Sequence, residues 1–313
     1  MATYFLRRLL SLIPVLIGVS IIVFLSMRLA PGDPARQILG PVAPQEEIIQ
    51  LREELGLDKP LHVQYWVWLK HAVVGDLGKS LKSGVPALRL VGERLGRTLE
   101  LTLAGLAVTL LVALVAGVTS AVRQYSLLDN LVTVGALFWL SMPTFWLGLM
   151  LMILLAARIP ALPISGRGGP VWTWAGLKHL LLPALTLGLP RAGAFARITR
   201  SSMLEVLLQD YVTTARSKGL RETRVVIKHA LRNALIPILT MLGLQIPWLF
   251  GGSVIVETVF AWPGMGRLLT TAVFERDYPL VQAIAIVYTL IVVLANFLAD
   301  IAYSIADPRI RFD

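Results

Sequence analysis

Six long apolar stretches alternate with polar segments along the chain. Each stretch is long enough to supply the roughly 20 residues that a helix needs to cross the hydrocarbon core of a bilayer. A helix is favoured because it satisfies its backbone hydrogen bonds within the segment, as lipid requires. The pattern therefore predicts an all-α polytopic membrane protein with six transmembrane helices. The predicted spans are residues 9–29, 99–122, 131–157, 177–196, 234–257 and 280–303.

The first apolar stretch follows Arg7 and Arg8 in the manner of a signal peptide, yet it is predicted to be a retained helix. Its apolar run is longer than the roughly 7 to 15 residues found in a signal peptide. The chain then continues with Pro-Gly-Asp-Pro at 31–34 instead of a small-residue cleavage site. Residues 30–98 contain two short amphipathic patterns, which predict interfacial helices in an extracytoplasmic loop.

The distribution of basic residues among the short loops predicts the orientation of the chain. Residues 197–233 carry eight lysines and arginines, and the C-terminus adds Arg309 and Arg311. Short cytoplasmic loops are enriched in such residues, so both termini are predicted to be cytoplasmic. The cytoplasmic segments are then residues 1–8, the short loop with Arg123 between the second and third spans, 197–233 and 304–313, and the extracytoplasmic segments are 30–98, 158–176 and 258–279.

The composition agrees with a membrane protein and argues against several kinds of chemistry. Of the 313 residues, 56% are hydrophobic and 15% are charged, with a mean hydropathy of +0.72. The net charge of +10 fits cytoplasmic loops and lipid headgroups better than nucleic acid, because no soluble basic module is present. The chain has no cysteine, no histidine pair at metal-ligand spacing and no Gly-x-Ser-x-Gly motif. We therefore expect no metal, no cofactor and no catalytic residue in this chain.

The predicted cytoplasmic segment 197–233 reads as two helices separated by Gly219. The first helix has an apolar stripe with the spacing i, i+3, i+4 and i+7. Gly219 then stands where glycine commonly ends a helix, and the second helix continues into the fifth span. This arrangement predicts a compact helical knob that a cytoplasmic partner can bind. The stripe consists of Leu208, Tyr211, Val212 and Ala215.

The last span carries polar residues spaced seven, seven and four positions apart, which places them on one helix face. Two interpretations remain open: these residues form interhelical hydrogen bonds, or they border a hydrated path and face a pore. Arg191 also lies inside a predicted span, and its closeness to Arg197 suggests that it snorkels toward the cytoplasm. The polar residues of the last span are Gln282, Thr289, Asn296 and Asp300.

The outer segment from Glu257 to Asp277 combines turn residues with mixed charge. This composition predicts a structured re-entrant or interfacial loop. The loop either contacts an external partner or satisfies its charges internally as loop salt bridges. The candidate contact residues are Trp262, Arg267, Arg276 and Asp277.

Ten short fragments occur along the chain in a characteristic order. In this order the chain closely resembles permease subunits of binding-protein-dependent ABC importers, above all the dipeptide, oligopeptide and nickel branch. The resemblance covers nearly the whole chain. One departure is that Thr213-Thr214-Ala215 takes the positions of the Glu-Ala-Ala of the general importer motif. The fragments are residues 7–9, 30–34, 54–58, 75–78, 200–204, 211–220, 228–237, 262–267, 276–279 and 307–311.

The resemblance implies a type I ABC importer transmembrane fold in the plasma membrane of a bacterium or archaeon. It also implies a second homologous permease, two cytoplasmic ABC ATPase subunits that bind ATP and Mg²⁺, and an extracytoplasmic substrate-binding protein. The helical knob would then be the coupling helix that docks on an ATPase. Its implied coupling residues are Leu208, Tyr211, Val212, Thr213, Thr214, Ala215, Arg216, Lys218 and Gly219.

The function implied by the resemblance is import of di- or oligopeptides. The same machinery importing nickel, glutathione or oligosaccharides is the alternative within this class. A solitary channel or an ion-coupled carrier is the alternative from another class, and carriers usually mark their sites with buried charge at mid-membrane, which is scarce here. The chain contains no nucleotide-binding motif, so ATP hydrolysis is expected on separate subunits.

Overall fold

The computed structural model describes residues 2–28, 34–40, 43–54 and 56–306. These residues form thirteen α-helices and no β-strand, apart from one antiparallel bridge between Lys79 and Pro86. The predicted all-α class is therefore confirmed. Residue 29 of the first predicted span, residues 30–33, 41–42 and 55 of the predicted extracytoplasmic loop, and residues 307–313 of the predicted C-terminal segment lie outside the described part of the chain.

Short connections join most of the helices. Two π-helical turns also occur, one extending α7 and one leading into α11. The helices are α1 Ala2–Arg28, α2 Pro34–Leu39, α3 Gln45–Glu54, α4 Leu61–Val73, α5 Ala87–Val122, α6 Leu127–Ser141, α7 Thr144–Leu151, α8 Trp174–Leu207, α9 Asp210–Ser217, α10 Glu222–Arg224, α11 Arg232–Val259, α12 Met265–Phe274 and α13 Tyr278–Ala306, and the π-helical turns are Met152–Ala156 and Val225–Leu231.

Length and apolar composition identify the described helices that are able to cross a bilayer unaided. Helix α5 and the Tyr278–Leu298 part of α13 meet both conditions. Helix α6, taken together with α7 and its π-helical turn, forms a third candidate that is bent by 106°. The positions of the six spans stay a prediction.

The chain divides into two compact units. The first contains Met1–Arg94 and Leu268–Val293, and the second contains Leu95–Arg267 and Leu294–Asp313. Each unit is held together by its own contacts.

In the first unit, aromatic side chains hold α4 against α1. The Phe24 ring is 1% exposed, and its centroid lies 5.5 Å from that of Tyr65 and 5.7 Å from that of Trp68. The Tyr65 hydroxyl also lies 2.8 Å from Ser20 Oγ, within hydrogen-bonding distance. An edge-to-face aromatic pair stabilises packing beyond its buried area, so these residues fix the outer helix α4 on α1.

Asp277 anchors the turn that follows α4 in the same unit. Its carboxylate accepts hydrogen bonds from Ser80 Oγ at 2.5 Å and from the Leu81 N–H at 3.1 Å. Ser80 lies in the short turn closed by the bridge between Lys79 and Pro86. Because Asp277 directly precedes α13, these bonds tie the turn to the start of that helix.

Helix α8 is the centre of the second unit and packs against α6, α7 and α11. Two glycines allow the close approach. A Cβ atom at Gly188 would meet the Gly105 carbonyl of α5, and one at Gly193 would meet the Ala136 carbonyl of α6. Thr109 strengthens the first contact by donating a hydrogen bond to the Gly188 carbonyl at 3.0 Å. Small residues at such contacts let helix backbones approach closely.

The predicted span 131–157 is bent in the structure. Helix α6 ends at Ser141, and Met142 takes an extended conformation with ψ 124° before Pro143. Proline disfavours the helical conformation for the residue before it, which explains the break.

Helix α8 extends beyond the predicted span 177–196. It continues through Arg197 to Leu207, although Pro183 and Pro190 lie inside it. The first eleven residues of the predicted cytoplasmic segment, 197–207, are therefore part of the same helix as the predicted span.

Candidate functional site

The segment between α8 and α11, residues 208–231, forms a small helical layer that we call the connecting segment. Val212 and Ala215 of α9 are 0% and 6% exposed, and they pack against Val225 of the π-helical turn. Gly219 has φ 73°, a left-handed conformation that glycine adopts without a steric cost. The structure therefore contains a helix before Gly219, a break at Gly219 and a helical stretch after it, as the sequence pattern predicts.

The rest of the predicted coupling set lies on the outer face of the connecting segment. Leu208 is 83% exposed, so its side chain is available for contact with another protein. Tyr211 is held in place because its hydroxyl accepts a hydrogen bond from Asn233 Nδ2 at 2.7 Å. The exposed members of the set are Leu208, Tyr211, Thr213, Thr214, Arg216, Lys218 and Gly219.

An ion pair spans the Gly219 turn. Arg216 Nη2 lies 2.8 Å from Glu222 Oε1, and Arg216 Nε lies 3.2 Å from the second carboxylate oxygen. These hydrogen bonds lower the pKa of the Glu222 carboxyl and raise the pKa of Arg216. Both side chains are largely exposed, so the pair orients the turn and contributes little to stability.

A second ion pair fixes the turn between α5 and α6. The Asp129 carboxylate accepts two hydrogen bonds from Arg200 of α8 and another from Ser120 of α5. It also accepts the N–H of Tyr125 at 2.9 Å. Hydrogen bonds from Arg200, the largest cause, and then from Ser120 hold the pKa of Asp129 well below its usual range.

Tyr125 stands out within that turn. It has φ 62°, the left-handed conformation that costs a residue with a Cβ roughly 1 kcal/mol or more. Its side chain is nevertheless 84% exposed, so no burial of the ring offsets this cost within the chain. Strained residues of this kind often mark functional positions.

A groove of about 440 Å³ lies between this turn and the connecting segment. The α5–α6 turn supplies one wall, and the end of α8, Leu208 and the Arg216–Glu222 pair supply the other. The groove combines apolar and charged side chains and joins the exposed face of α9. The wall residues from both sides include Arg123, Tyr125, Leu207, Leu208, Arg216 and Glu222.

Sequence reasoning missed the contribution of Asp129, Ser120 and Tyr125. One local signal was available, because Ser126 and Asp129 have the Ser-x-x-Asp spacing of a helix N-terminus. In the structure Ser126 Oγ accepts the Asp129 N–H at 3.2 Å. The pairing with Arg200, 71 residues away, has no such local signature.

At the other end of α11, Glu257 is fully buried and holds the start of α12. Its carboxylate accepts the Thr98 hydroxyl at 2.7 Å and the Arg267 N–H at 3.0 Å. The Thr98 hydroxyl accepts the Met265 N–H at 2.8 Å. A Cβ at Gly264 would collide with the Glu257 carboxylate, which explains glycine at that position. We call this arrangement the Glu257 cluster.

Two of the four predicted external contact residues lie inside the protein. Trp262 is 0% exposed, and its Nε1–H donates to the Arg97 carbonyl at 2.9 Å. Asp277 is 1% exposed and binds the turn described above. Their internal hydrogen bonds correct the expectation that these side chains form a contact surface. Arg267 and Arg276 are exposed, as a contact residue requires.

The four polar residues predicted to share one face of α13 differ in exposure and hydrogen bonding. Gln282 is half-buried, Asn296 is exposed, and Thr289 Oγ1 donates to the Ala285 carbonyl within the helix at 2.8 Å. The side chain of Asp300 lies outside the described part of the structure. Which of the two interpretations of this face holds therefore stays open.

Among the described residues, no group of three or more histidine, cysteine, aspartate or glutamate side chains is arranged to hold a metal ion.

Two family matches cover most of the chain. Residues 113–312 match the family described as "Binding-protein-dependent transport system inner membrane component". Residues 1–102 match its N-terminal counterpart, described as "Binding-prot-dependent transport system membrane comp, N-term".

Several curated relatives are similar over their full length. An oligopeptide transport system permease protein of Bacillus subtilis is 42% identical, with 100% of both chains covered. A glutathione transport system permease protein of Salmonella typhimurium is 44% identical, and a dipeptide transport system permease protein of Alkalihalophilus pseudofirmus is 42% identical, each with 100% of both chains covered. The predicted resemblance to importer permeases and the polytopic membrane fold are confirmed. The chain belongs to the family of binding-protein-dependent transport system inner membrane components.

Proposed function

We propose that the chain forms half of the translocation path of an ATP-driven importer for di- or oligopeptides. A second homologous permease supplies the other half, and an extracytoplasmic binding protein delivers the cargo. Two cytoplasmic ATPase subunits bind ATP and Mg²⁺ and perform the hydrolysis, so this chain is a non-catalytic subunit. Both termini and the connecting segment lie in the cytoplasm of a bacterial or archaeal cell.

The observation that carries the proposal is the division of α9 into two faces. Val212 and Ala215 pack inward, whereas Thr214 of the same helix and the flanking Leu208 and Lys218 are exposed. An exposed face on a helix fixed by its own core is suited to dock in a groove of another protein. The groove beside Tyr125 extends this docking surface.

The same packing supports a route for movement. Val212 and Ala215 pack against Leu207 at the end of α8, and α8 continues for 34 residues to Trp174. A displacement of α9 by a closing ATPase is therefore passed to a rod roughly 50 Å long. Binding of ATP at one site thereby biases a two-state bundle at another.

On the extracytoplasmic side, Arg267 and Arg276 are the residues that we propose contact the binding protein. The Glu257 cluster fixes the backbone of Arg267. The Arg267 guanidinium also donates a hydrogen bond to the Ala261 carbonyl at 2.8 Å. Asp277 holds the chain next to Arg276 through its bonds to the Ser80 turn. Buried Asp277 thus positions the exposed Arg276, and the Glu257 cluster positions the exposed Arg267.

The cargo class rests on the relatives, two of which are named for oligopeptide and dipeptide transport. Glutathione is the second candidate, because relatives with 44% identity are glutathione permeases. Calorimetry of the cognate binding protein with dipeptides, longer peptides, glutathione, nickel and sugars separates these cargoes. Exclusive binding of nickel or a sugar would contradict the peptide assignment.

Charge substitutions on α9 test the docking surface. Thr214→Glu places a carboxylate on the exposed face, and we expect it to reduce the ATPase that copurifies with the permease by roughly tenfold, as loss of a good interface contact does. Ser201→Glu is the matched control, because Ser201 is an exposed hydroxyl residue of α8 outside the connecting segment. Wild-type ATPase association and transport in the Thr214 variant would show that the docking assignment is wrong.

A further inference from the structure

Arg191 lies at the midpoint of α8, seventeen residues after its first residue and sixteen before its last. It belongs to the predicted span 177–196, which contains no acidic residue. The structure holds its guanidinium over the ring of Trp248, with Cζ 4.9 Å from the ring centroid. The arginine side chain is therefore directed toward α11.

The Trp248 ring is the interaction partner of Arg191 among the described residues. The ion pairs within the described part of the chain all involve other cations. The fifth predicted span has one acidic residue, Glu257 at its end, and that carboxylate is bound within the Glu257 cluster. The guanidinium thus lacks a carboxylate partner in the described structure.

Trp248 lies on a strip of α11 that the described residues leave uncovered. Its side chain is 61% exposed, and Gly251 and Ile255, one and two turns further on, are exposed as well. Arg191 is close to the cytoplasmic end of its predicted span, yet its guanidinium lies over Trp248, fourteen residues into the fifth predicted span, and does not extend toward the cytoplasm as expected for a snorkelling side chain. A guanidinium facing lipid at that position is unfavourable, and intramembrane arginines face a bundle interior or a water-filled cavity instead. The exposed strip beside Arg191 therefore borders a polar environment outside this chain.

The contact between Arg191 and Trp248 favours a carboxylate as the ligand. A cation over an aromatic ring is attracted by the π-electrons without using an acceptor atom. The N–H donors at the edge of the planar guanidinium then remain able to form the two parallel hydrogen bonds that a carboxylate accepts. Nickel and other free cations are repelled by the same charge.

We propose that Arg191, oriented by Trp248, binds the carboxylate of the cargo as it passes along the translocation path. The inference rests on the proposed function, because it takes the cargo to be a peptide with a free carboxylate. Di- and oligopeptides and glutathione share this group, whereas neutral sugars do not. The interaction is expected to be transient, since a site on a transport path must release what it binds.

The test is uptake into proteoliposomes that contain the complete importer, with the cognate binding protein at saturating concentration. One substrate is a dipeptide with a free carboxylate, and the other is the same dipeptide with a C-terminal amide. We expect Arg191→Gln to reduce carboxylate uptake by roughly tenfold, the loss of a charge-assisted hydrogen bond, and to leave amide uptake nearly unchanged. Because every sample has the same binding protein, a changed ratio between the substrates reports on the permease alone.

Two further variants sharpen the result. Arg191→Lys keeps the charge but lacks the planar pair of donors, so an intermediate ratio is expected. Arg197→Gln, on the exposed end of the same helix, is the matched control and is expected to leave the ratio unchanged. Protein yield and basal ATPase activity report whether each variant folds, and the lysine variant keeps the test informative if the glutamine variant does not.

Three outcomes would overturn the assignment. An equal loss of uptake for both substrates would indicate that Arg191 has a structural role, such as an ion pair with the second permease. An unchanged ratio would place the residue against lipid phosphate or outside the path. If the wild-type importer carries neither peptide while its binding protein binds another cargo, the proposed function itself fails and the carboxylate assignment fails with it.

Discussion

Arg200 and Asp129 form a two-bond ion pair between α8 and α6, with Nε 2.7 Å from Oδ1 and Nη2 2.8 Å from Oδ2. The Asp129 side chain is 4% exposed and that of Arg200 is 27% exposed. Removing one partner of such a pair leaves the other as a buried, uncompensated charge.

We expect Asp129→Asn to destabilise the permease by about 2 to 3 kcal/mol, near the lower end for a broken buried pair because Arg200 reaches solvent. The measurement is the midpoint of thermal unfolding of the purified importer in detergent. Glu222→Gln is the matched control, since its ion pair with Arg216 is largely exposed and should contribute under about 1 kcal/mol. Equal effects of the two substitutions would contradict the structural role of the Asp129–Arg200 pair.

The same pair predicts how stability depends on pH. Arg200 and Ser120 lower the pKa of Asp129 in the folded protein from a starting value of 3.8. The ion pair therefore stabilises the fold fully above about pH 5 and loses this contribution progressively below about pH 4, as the unfolded chain takes up a proton. The stability difference between wild type and Asp129→Asn is expected to stay constant from about pH 5 to 8 and to narrow on acidification. A difference that grows on acidification would reverse the sign and refute the assignment.

The Glu257 cluster predicts different effects for two glycines. Gly264→Ala forces a methyl group onto the Glu257 carboxylate, and we expect a loss of about 1 to 3 kcal/mol, as for other overpacked sites. Gly251→Ala is the control, because a Cβ there has no described heavy atom within 4 Å. In a helix interior that change should stabilise by roughly 0.5 to 1 kcal/mol. Thermal unfolding midpoints that move in the same direction would show that the cluster is looser than described.

Tyr125 provides a test of the groove. Tyr125→Asn removes the exposed ring, and asparagine tolerates the φ of 62° at this position. We expect stability to change by under about 0.5 kcal/mol, as at most surface positions, while copurification of the ATPase falls. Tyr125→Phe keeps the ring and should keep the association. If both variants bind the ATPase as wild type does, the groove lies outside the docking surface.

Much of the helical layout was predictable because it is encoded locally. The apolar stripe around Val212 and the glycine at 219 specify a helix and its end within a few residues, and the structure has both. The break at Pro143 was visible as a proline inside an apolar run, but its size was not. The angle of 106° depends on how α7 packs against α8 and α11, which no local pattern contains.

The internal roles of Trp262 and Asp129 lay beyond the reach of sequence patterns. A tryptophan beside Pro-Gly on an outer loop looks like a contact residue, yet Trp262 bonds to Arg97, 165 positions earlier in the chain. Asp129 likewise forms an ion pair with Arg200, 71 positions later in the chain. Hydrophobic periodicity identifies which face of a helix is buried, but it does not identify the partner of a buried polar group.

The π-helical turn Val225–Leu231 has a further consequence for the chain that follows it. A π turn closes its hydrogen bonds over five residues instead of four, so it absorbs one residue more than an α turn. Removing one residue from this turn would leave the rotational phase of α11 intact, whereas the same deletion within α11 would turn everything beyond it by about 100°. The orientation of the exposed strip around Trp248 thus tolerates the loss of one residue at the turn, whereas the same loss a few residues later would rotate the strip away from its position.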